Sequence, residues 1–148
     1  MSEPSGGPLT PAESAGETWT VGRYTPQHQW PTSLPDTMSG WKTLINCLGS
    51  TDIVFGPDGS VMIEMEHFLL LPREEMDPET GETRWYPWLV LVDPEGRTFG
   101  TSSAVAIERI GRIVEAIRRG KLTTPVAVQI TQRRAVSSGR IYHDVKVM

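Results

Sequence analysis

The fold of this chain depends most on residues 61–71, which read VMIEMEHFLLL. The first half alternates apolar and polar side chains, which is typical of a strand with one buried face. After His67 both faces are apolar, which indicates a strand that is covered on both sides. We predict one long bent strand that joins two sheets, as in a small barrel, and that ends at Pro72.

Two more strands are predicted before the next helix. A polar loop over 73–82 leads into TRWYPWLVLV (83–92), in which Pro87 indicates an edge or a bulge because proline cannot donate to a strand ladder. A turn at 93–96 then precedes a short strand at 97–100.

An amphipathic helix follows this strand. Thr101, Ser102 and Ser103 offer N-cap oxygens, and Gly120 can close the helix. Apolar residues recur at helical spacing, and acidic residues precede arginines by four positions in Glu108–Arg112 and Glu115–Arg119. The apolar positions are Ile107, Ile110, Ile113, Val114 and Ile117.

The last two predicted strands form a hairpin, over 125–133 and 140–148, around a turn at 137–139. The order β-β-β-α-β-β predicts a mainly β fold with one helix, a five-stranded OB-fold-like barrel whose usual partners are oligonucleotides and oligosaccharides. Residues 41–50 predict a short helix or turn that packs against the barrel.

Two regions differ in composition. Residues 1–40 are rich in Pro, Gly and Ser and are predicted to be a disordered tail, in which Trp19, Tyr24 and Trp30 are either solvated or contact points for a partner or for the chain's own domain. Residues 41–148 are the predicted OB-like domain.

The single cysteine, Cys47, predicts a small core residue. We expect a cytoplasmic protein without a membrane partner, because the chain shows no leader and no long apolar run.

The net charge of −4 is divided unevenly along the chain. Residues 106–148 hold nine basic and three acidic groups, a balance of +6 that leaves −10 for residues 1–105. The division predicts a basic patch on one part of the fold.

Catalysis is not expected, and neither a cofactor nor a metal site is predicted. His28, His67 and His143 are far apart, and the two on strands are expected to be partly buried. Glu64 and Glu66 share one strand face while His67 points to the other, so they cannot converge on a metal.

A basic cluster marks the last hairpin, where Arg133 and Arg134 enter the turn and Arg140 leaves it. Guanidinium groups suit phosphates because they are permanently charged and planar. Tyr142 shares the outward face of the last strand with Lys146. The alternative interpretation of this cluster is a solvated surface.

Aromatic residues cluster on the second and third predicted strands, where an OB-fold binds its ligand. Trp85, Trp88 and Phe99, like Tyr142, are candidates for stacking on bases, which contributes about 1–3 kcal/mol per base. The alternative is that they pack in the core. The acidic loop over 74–82 would flank the same groove and repel phosphate.

Three segments carry a resemblance to a known family: DPETGE (77–82), WLVLVDPEGRTFGTSS (88–103) and VAVQITQRRAVSSGRIYHDVKV (126–147). From about residue 38 to 148 the chain resembles small single-stranded-DNA-binding proteins encoded by phages and mobile replicons. The resemblance implies an OB-like fold that coats single-stranded DNA during replication. It carries over to the basic positions Arg133, Arg134 and Arg140.

Two functional hypotheses remain. The first is a sequence-tolerant single-stranded-DNA-binding protein. The second is a protein-interaction module that recruits a replication or structural partner through the barrel or the tail. RNA as the preferred ligand, the oligomeric state and the site size are left open by the residues.

Overall fold

The computed structural model describes residues 31–148. The helices are α1 (Met38–Leu48) and α2 (Ala104–Arg118), and the strands are β1 (Ser60–Met65), β2 (His67–Met76), β3 (Thr83–Val92), β4 (Thr98–Thr101), β5 (Val126–Arg134) and β6 (Ile141–Val147). The predictions for Trp19, Tyr24, His28 and Trp30 concern positions outside the described residues. Within 31–148, no helix has the length and apolar character that crossing a bilayer requires.

The six strands form two three-stranded antiparallel sheets, β1-β5-β6 and β2-β3-β4. β1 and β2 are two parts of one stretch of chain that changes sheet at Glu66, whose N–H donates to the Val92 carbonyl at 2.8 Å. The change of pattern at His67 therefore marks the point where the chain passes from one sheet to the other.

The main core lies between the two sheets and α2. Ile63 and Met65 of β1, together with Leu89 and Leu91 of β3, are at most 2% exposed there. The predicted apolar stripe of α2 packs into this core through Ile107, Ile110, Ile113 and Val114, while Ile117 is partly buried against it. Ser103 is the N-cap, since its side chain accepts from the Ala106 N–H at 3.4 Å.

A second core covers the other face of the β2-β3-β4 sheet. Leu69 and Val90 point to this side and are buried together with Leu34, which precedes α1, and with Leu44 and Cys47 of α1. Burial raises the pKa of the Cys47 thiol to about 11. The α1 helix explains why both faces of β2 are apolar after His67.

The α1 helix is held close to the segment that precedes it. The Thr37 side chain caps the helix by accepting from the Gly40 N–H at 3.2 Å. A Cβ at Gly40 would collide with the carbonyl oxygen of Pro35, so the close approach requires glycine. The predicted helix or turn at 41–50 is therefore a helix that packs on the sheet.

The observed elements confirm the mainly β class but differ from the prediction in detail. The described residues contain two helices and six strands in two three-stranded antiparallel sheets, and backbone pairing shows no closed five-stranded barrel among them. Leu34 is 1% exposed, so the packed region begins before the predicted boundary at residue 41. The predicted loop over 73–82 is shorter, because β2 continues to Met76.

Pro72 does not end β2. It lies within the strand, directly opposite Pro87 of β3, and the pairing continues beyond it. Residues opposite one another in antiparallel strands alternate between hydrogen-bonded and non-bonded pairs, and two prolines fit only a non-bonded pair. Their nitrogens then face away from the partner strand. β4 pairs only with Leu89 to Val92, so Pro87 lies where β3 has a free side, as predicted for an edge.

Candidate nucleic-acid interface

The outer face of the β1-β5-β6 sheet carries two of the predicted basic residues, Arg133 and Lys146. In β5, Val126, Val128 and Ile130 are buried, so the alternating positions between them point outward. Arg133 lies at the end of this outward row. In β6, Val145 is buried, which turns its neighbours outward.

Arg133 pairs directly with Tyr142 across the β5-β6 ladder, and Gln129 pairs with Lys146. Arg133 and Lys146 are exposed, whereas Tyr142 is partly buried. A guanidinium, a phenol ring and an ammonium group therefore share one face. The alternation of residues along the last strand predicts this arrangement for Tyr142 and Lys146.

Asp144 lies within this face and pairs with two arginines. Its Oδ2 atom accepts from Arg133 Nε at 3.1 Å, and its Oδ1 atom accepts from Arg109 Nη1 of α2 at 3.2 Å. The carboxylate partly neutralises the patch and also fixes the orientation of both guanidinium groups. Sequence reasoning missed this pair, because Arg109 and Asp144 are 35 residues apart.

The turn between β5 and β6 adds two more arginines to the same end of the sheet. Arg134 Nη1 donates to the Gly139 carbonyl at 2.7 Å, and the Ala135 N–H donates to the Arg140 carbonyl at 2.8 Å. Gly139 has φ +70°, a conformation that favours glycine. These bonds define the shape of the turn. The Arg140 side chain forms no ion pair with any described residue.

Trp88 is not available for stacking, because its side chain is only 3% exposed in the second core. Its indole Nε1 donates to Ser50 Oγ at 2.9 Å, and the Arg73 guanidinium lies 4.1 Å from the ring centroid. Gly100 packs so closely on the ring that a Cβ there would collide with it. The predicted role of Trp88 in stacking is therefore excluded in this fold.

The other predicted aromatic residues on β3 and β4 do not form one surface. Phe99 is partly buried against the main core, while Trp85 is 49% exposed on the extended β2-β3 hairpin, opposite Glu74. The physical reason is that Phe99 and Trp88 point to opposite faces of the sheet, Phe99 toward the main core and Trp88 toward the face that α1 covers. One sequence signal for this cover was the spacing of Leu44 and Cys47, which places two apolar residues on one side of a helix.

The β2-β3 hairpin extends beyond the core and is acidic at its tip. Glu74, Glu75 and Met76 are exposed at the end of β2, and the turn that follows holds Asp77, Glu79 and Glu82. Arg84 lies opposite Glu75. This hairpin and the basic β5-β6 turn belong to different sheets.

His143 joins the edge of β6 to the start of α2. Its Nδ1 atom lies 2.7 Å from Thr101 Oγ1, and its backbone N–H donates to Ser103 Oγ at 3.0 Å. Burial lowers the pKa of His143, while the charge of Asp52 opposes that shift. As predicted, His143 and His67 are partly buried strand residues.

No group of three metal-ligating side chains is present among residues 31–148. Comparison of the chain with protein-family models, curated proteins and solved structures found no significant match.

Proposed function

We propose that this protein binds single-stranded DNA with little sequence preference, and that it does so in the replication of a phage or mobile element. The observation that carries the proposal is the β5-β6 hairpin, in which Arg133 lies opposite Tyr142 and shares its face with Lys146. Arg134 and Arg140 extend the positive charge into the turn.

The chemistry of this hairpin fits a single strand. Arginines pair with phosphate oxygens, which are the same for every base, and a phenol ring offers a surface on which any base can stack. The resemblance described above points to Arg133, Arg134 and Arg140 as well. Sequence tolerance follows because neither kind of contact reads the edges of the bases.

An OB-like arrangement is the fold that we propose behind this function. Counted as one bent strand, β1 and β2 are followed by β3, β4, α2, β5 and β6 in the order of that fold. Side chains bridge the place where the barrel would close, since His143 of β6 bonds to Thr101 of β4 and to Ser103. Arg109 also donates to the Val145 carbonyl at 3.3 Å, which occupies part of the β6 edge.

The interface that we propose differs from the one predicted from the strands alone. Because α1 covers the outer face of β2 and β3, the single-stranded DNA would contact the β5-β6 hairpin and the outer face of the β1-β5-β6 sheet. Tyr142 then replaces Trp88 as the stacking residue. Acidic side chains of the β2-β3 hairpin would repel the phosphates and keep the DNA away from that hairpin.

The test is a fluorescence-anisotropy titration of a labelled oligo-dT of about 30 nucleotides, which exceeds the site size of one OB domain. It is run at about 50 mM and about 200 mM salt, because neutralised phosphates release counterions and weaken binding as salt rises. We expect saturable binding that weakens with salt and exceeds binding to duplex DNA. Absence of binding at the lower salt would reject the proposal, and a matched oligo-U separates DNA from RNA.

A protein-interaction module is the second candidate function, and the β2-β3 hairpin favours it. Trp85 is 49% exposed and Met76 is 65% exposed on an acidic arm, a combination that suits a basic protein partner. Trp85→Ala separates the two functions. If the β5-β6 hairpin binds DNA, the variant should bind oligo-dT as the parent does. If the variant loses a protein that co-purifies with the parent, the β2-β3 hairpin is assigned to protein binding.

A further inference from the structure

One face of α1 exposes four large apolar side chains. Met38, Trp41, Ile45 and Leu48 are 76%, 48%, 61% and 52% exposed, and we call them the α1 stripe. Their spacing of three, four and three residues aligns them along one side of the helix. Contiguous exposed apolar patches of this kind are uncommon on proteins that act alone.

The stripe is separate from the contacts that hold α1 on the sheet. Gly40, Leu44 and Cys47 are the buried residues of the helix. Trp41 is held in place on the outer side, because its Nε1 atom donates to Asp36 Oδ1 at 2.8 Å. Removing the stripe would therefore leave the second core intact.

We propose that the α1 stripe is the contact between two copies of this chain. Lys42 is the only charged residue in α1, so two such helices can approach with little charge repulsion. A repeat of three and four residues is the pattern with which helices pack side by side. The same surface would serve both copies, as a two-fold axis requires.

The size of the stripe limits the area that two copies can bury. A large side chain exposes on the order of 200 Å² when free, so the stripe offers roughly 500 Å² per copy. A standard stable interface hides about 800 Å² per partner. The pairing is therefore expected to be weak and reversible.

The test is sedimentation velocity of the full-length chain from about 1 µM to about 500 µM, a range wide enough to detect a weak association. We expect the mass to rise from 16.4 kDa toward twice that value. Ile45→Glu should abolish the rise, because it places a charge in the middle of the stripe while keeping a good helix former. Circular dichroism and thermal melting of this variant should match the parent chain.

Val54→Glu is the matched control, since Val54 is 82% exposed and lies outside α1. It should dimerise like the parent. Dimerisation that survives Ile45→Glu, or that Val54→Glu removes equally, would overturn the proposal. So would a parent chain that stays monomeric throughout. A monomer in which Ile45→Glu accelerates tryptic cleavage after Arg23 would assign the stripe to the chain's own first 30 residues instead. The DNA-binding proposal is unaffected by each of these results.

Discussion

His143 Nδ1 and Thr101 Oγ1 lie 2.7 Å apart and link the edge of β6 to the end of β4, where no backbone ladder joins these two strands of the described fold. Thr101 Oγ1 also accepts from the Ser103 N–H at 3.1 Å, which leaves its own proton for His143. The geometry therefore favours a neutral imidazole that accepts at Nδ1. Phe55 packs its ring edge-on against this histidine, with 5.0 Å between the ring centroids.

Acidification should weaken this link. The pKa of His143 is lowered by burial from its ordinary value of 6.5, so the unfolded chain takes up the proton more readily than the folded chain. The contribution of the neutral histidine is complete above pH 6.5 and is lost as pH falls through that value toward the lowered pKa. We expect the melting temperature to fall in this window. In His143→Gln, which keeps a hydrogen-bonding group but does not titrate, the fall should be smaller. An identical fall in both proteins would show that His143 is not responsible.

Replacing Arg133 and Arg134 together by alanine should weaken binding to oligo-dT roughly 10- to 100-fold at low salt, because two phosphate contacts are lost. The loss should be similar for oligo-dA and mixed sequences. The slope of log affinity against log salt should fall by about 1.4, or about 0.7 for each phosphate on a single strand.

The matched control for this pair removes the same charge from α2. Arg112→Ala with Arg118→Ala deletes two arginines whose partners are Glu108 and Glu115. This variant should retain most of the affinity. Equal losses in the two double variants would mean that net charge, rather than the hairpin, governs binding.

Asp144→Asn should strengthen binding. The substitution removes the negative charge that Arg133 and Arg109 now share, and the amide oxygen can still accept from the Val145 N–H, which lies 3.0 Å from Asp144 Oδ1. We expect the affinity for oligo-dT to rise roughly 3- to 10-fold at low salt, with a smaller gain at high salt as screening takes effect. A variant that binds more weakly would show that Asp144 serves mainly to position Arg133.

Gly100→Ala tests the packing of Trp88. The added Cβ would meet the indole ring and lie 2.9 Å from the Thr51 carbonyl oxygen, so either the ring or the backbone must shift. Overpacking of this kind typically costs about 1–3 kcal/mol of unfolding free energy. Urea unfolding measures the loss. Gly49→Ala is the control, since its nearest neighbouring atom is the Asn46 carbonyl oxygen at 3.8 Å.

Local pattern was sufficient for the α2 helix and the last hairpin. Ile107 and Ile110 repeat at the helical period and are buried, and Val128 and Ile130 alternate with outward residues as a half-buried strand requires. The outward position of Tyr142 and Lys146 follows from the same alternation. These features are readable because each depends on residues that are close in sequence.

Three features could be read from the residues alone: a mainly β chain, a strand whose two faces become apolar at His67, and a concentration of arginines around one turn. The folded structure was needed to show which segment covers the second face of that strand. Leu44 and Cys47 of α1 cover it, and Trp88 is buried as a consequence. The folded structure also shows that Arg109 and Arg133 meet at Asp144 and that His143 meets Thr101. Those contacts join residues that are far apart in the chain, and no periodicity in the sequence records which distant segments will pack together.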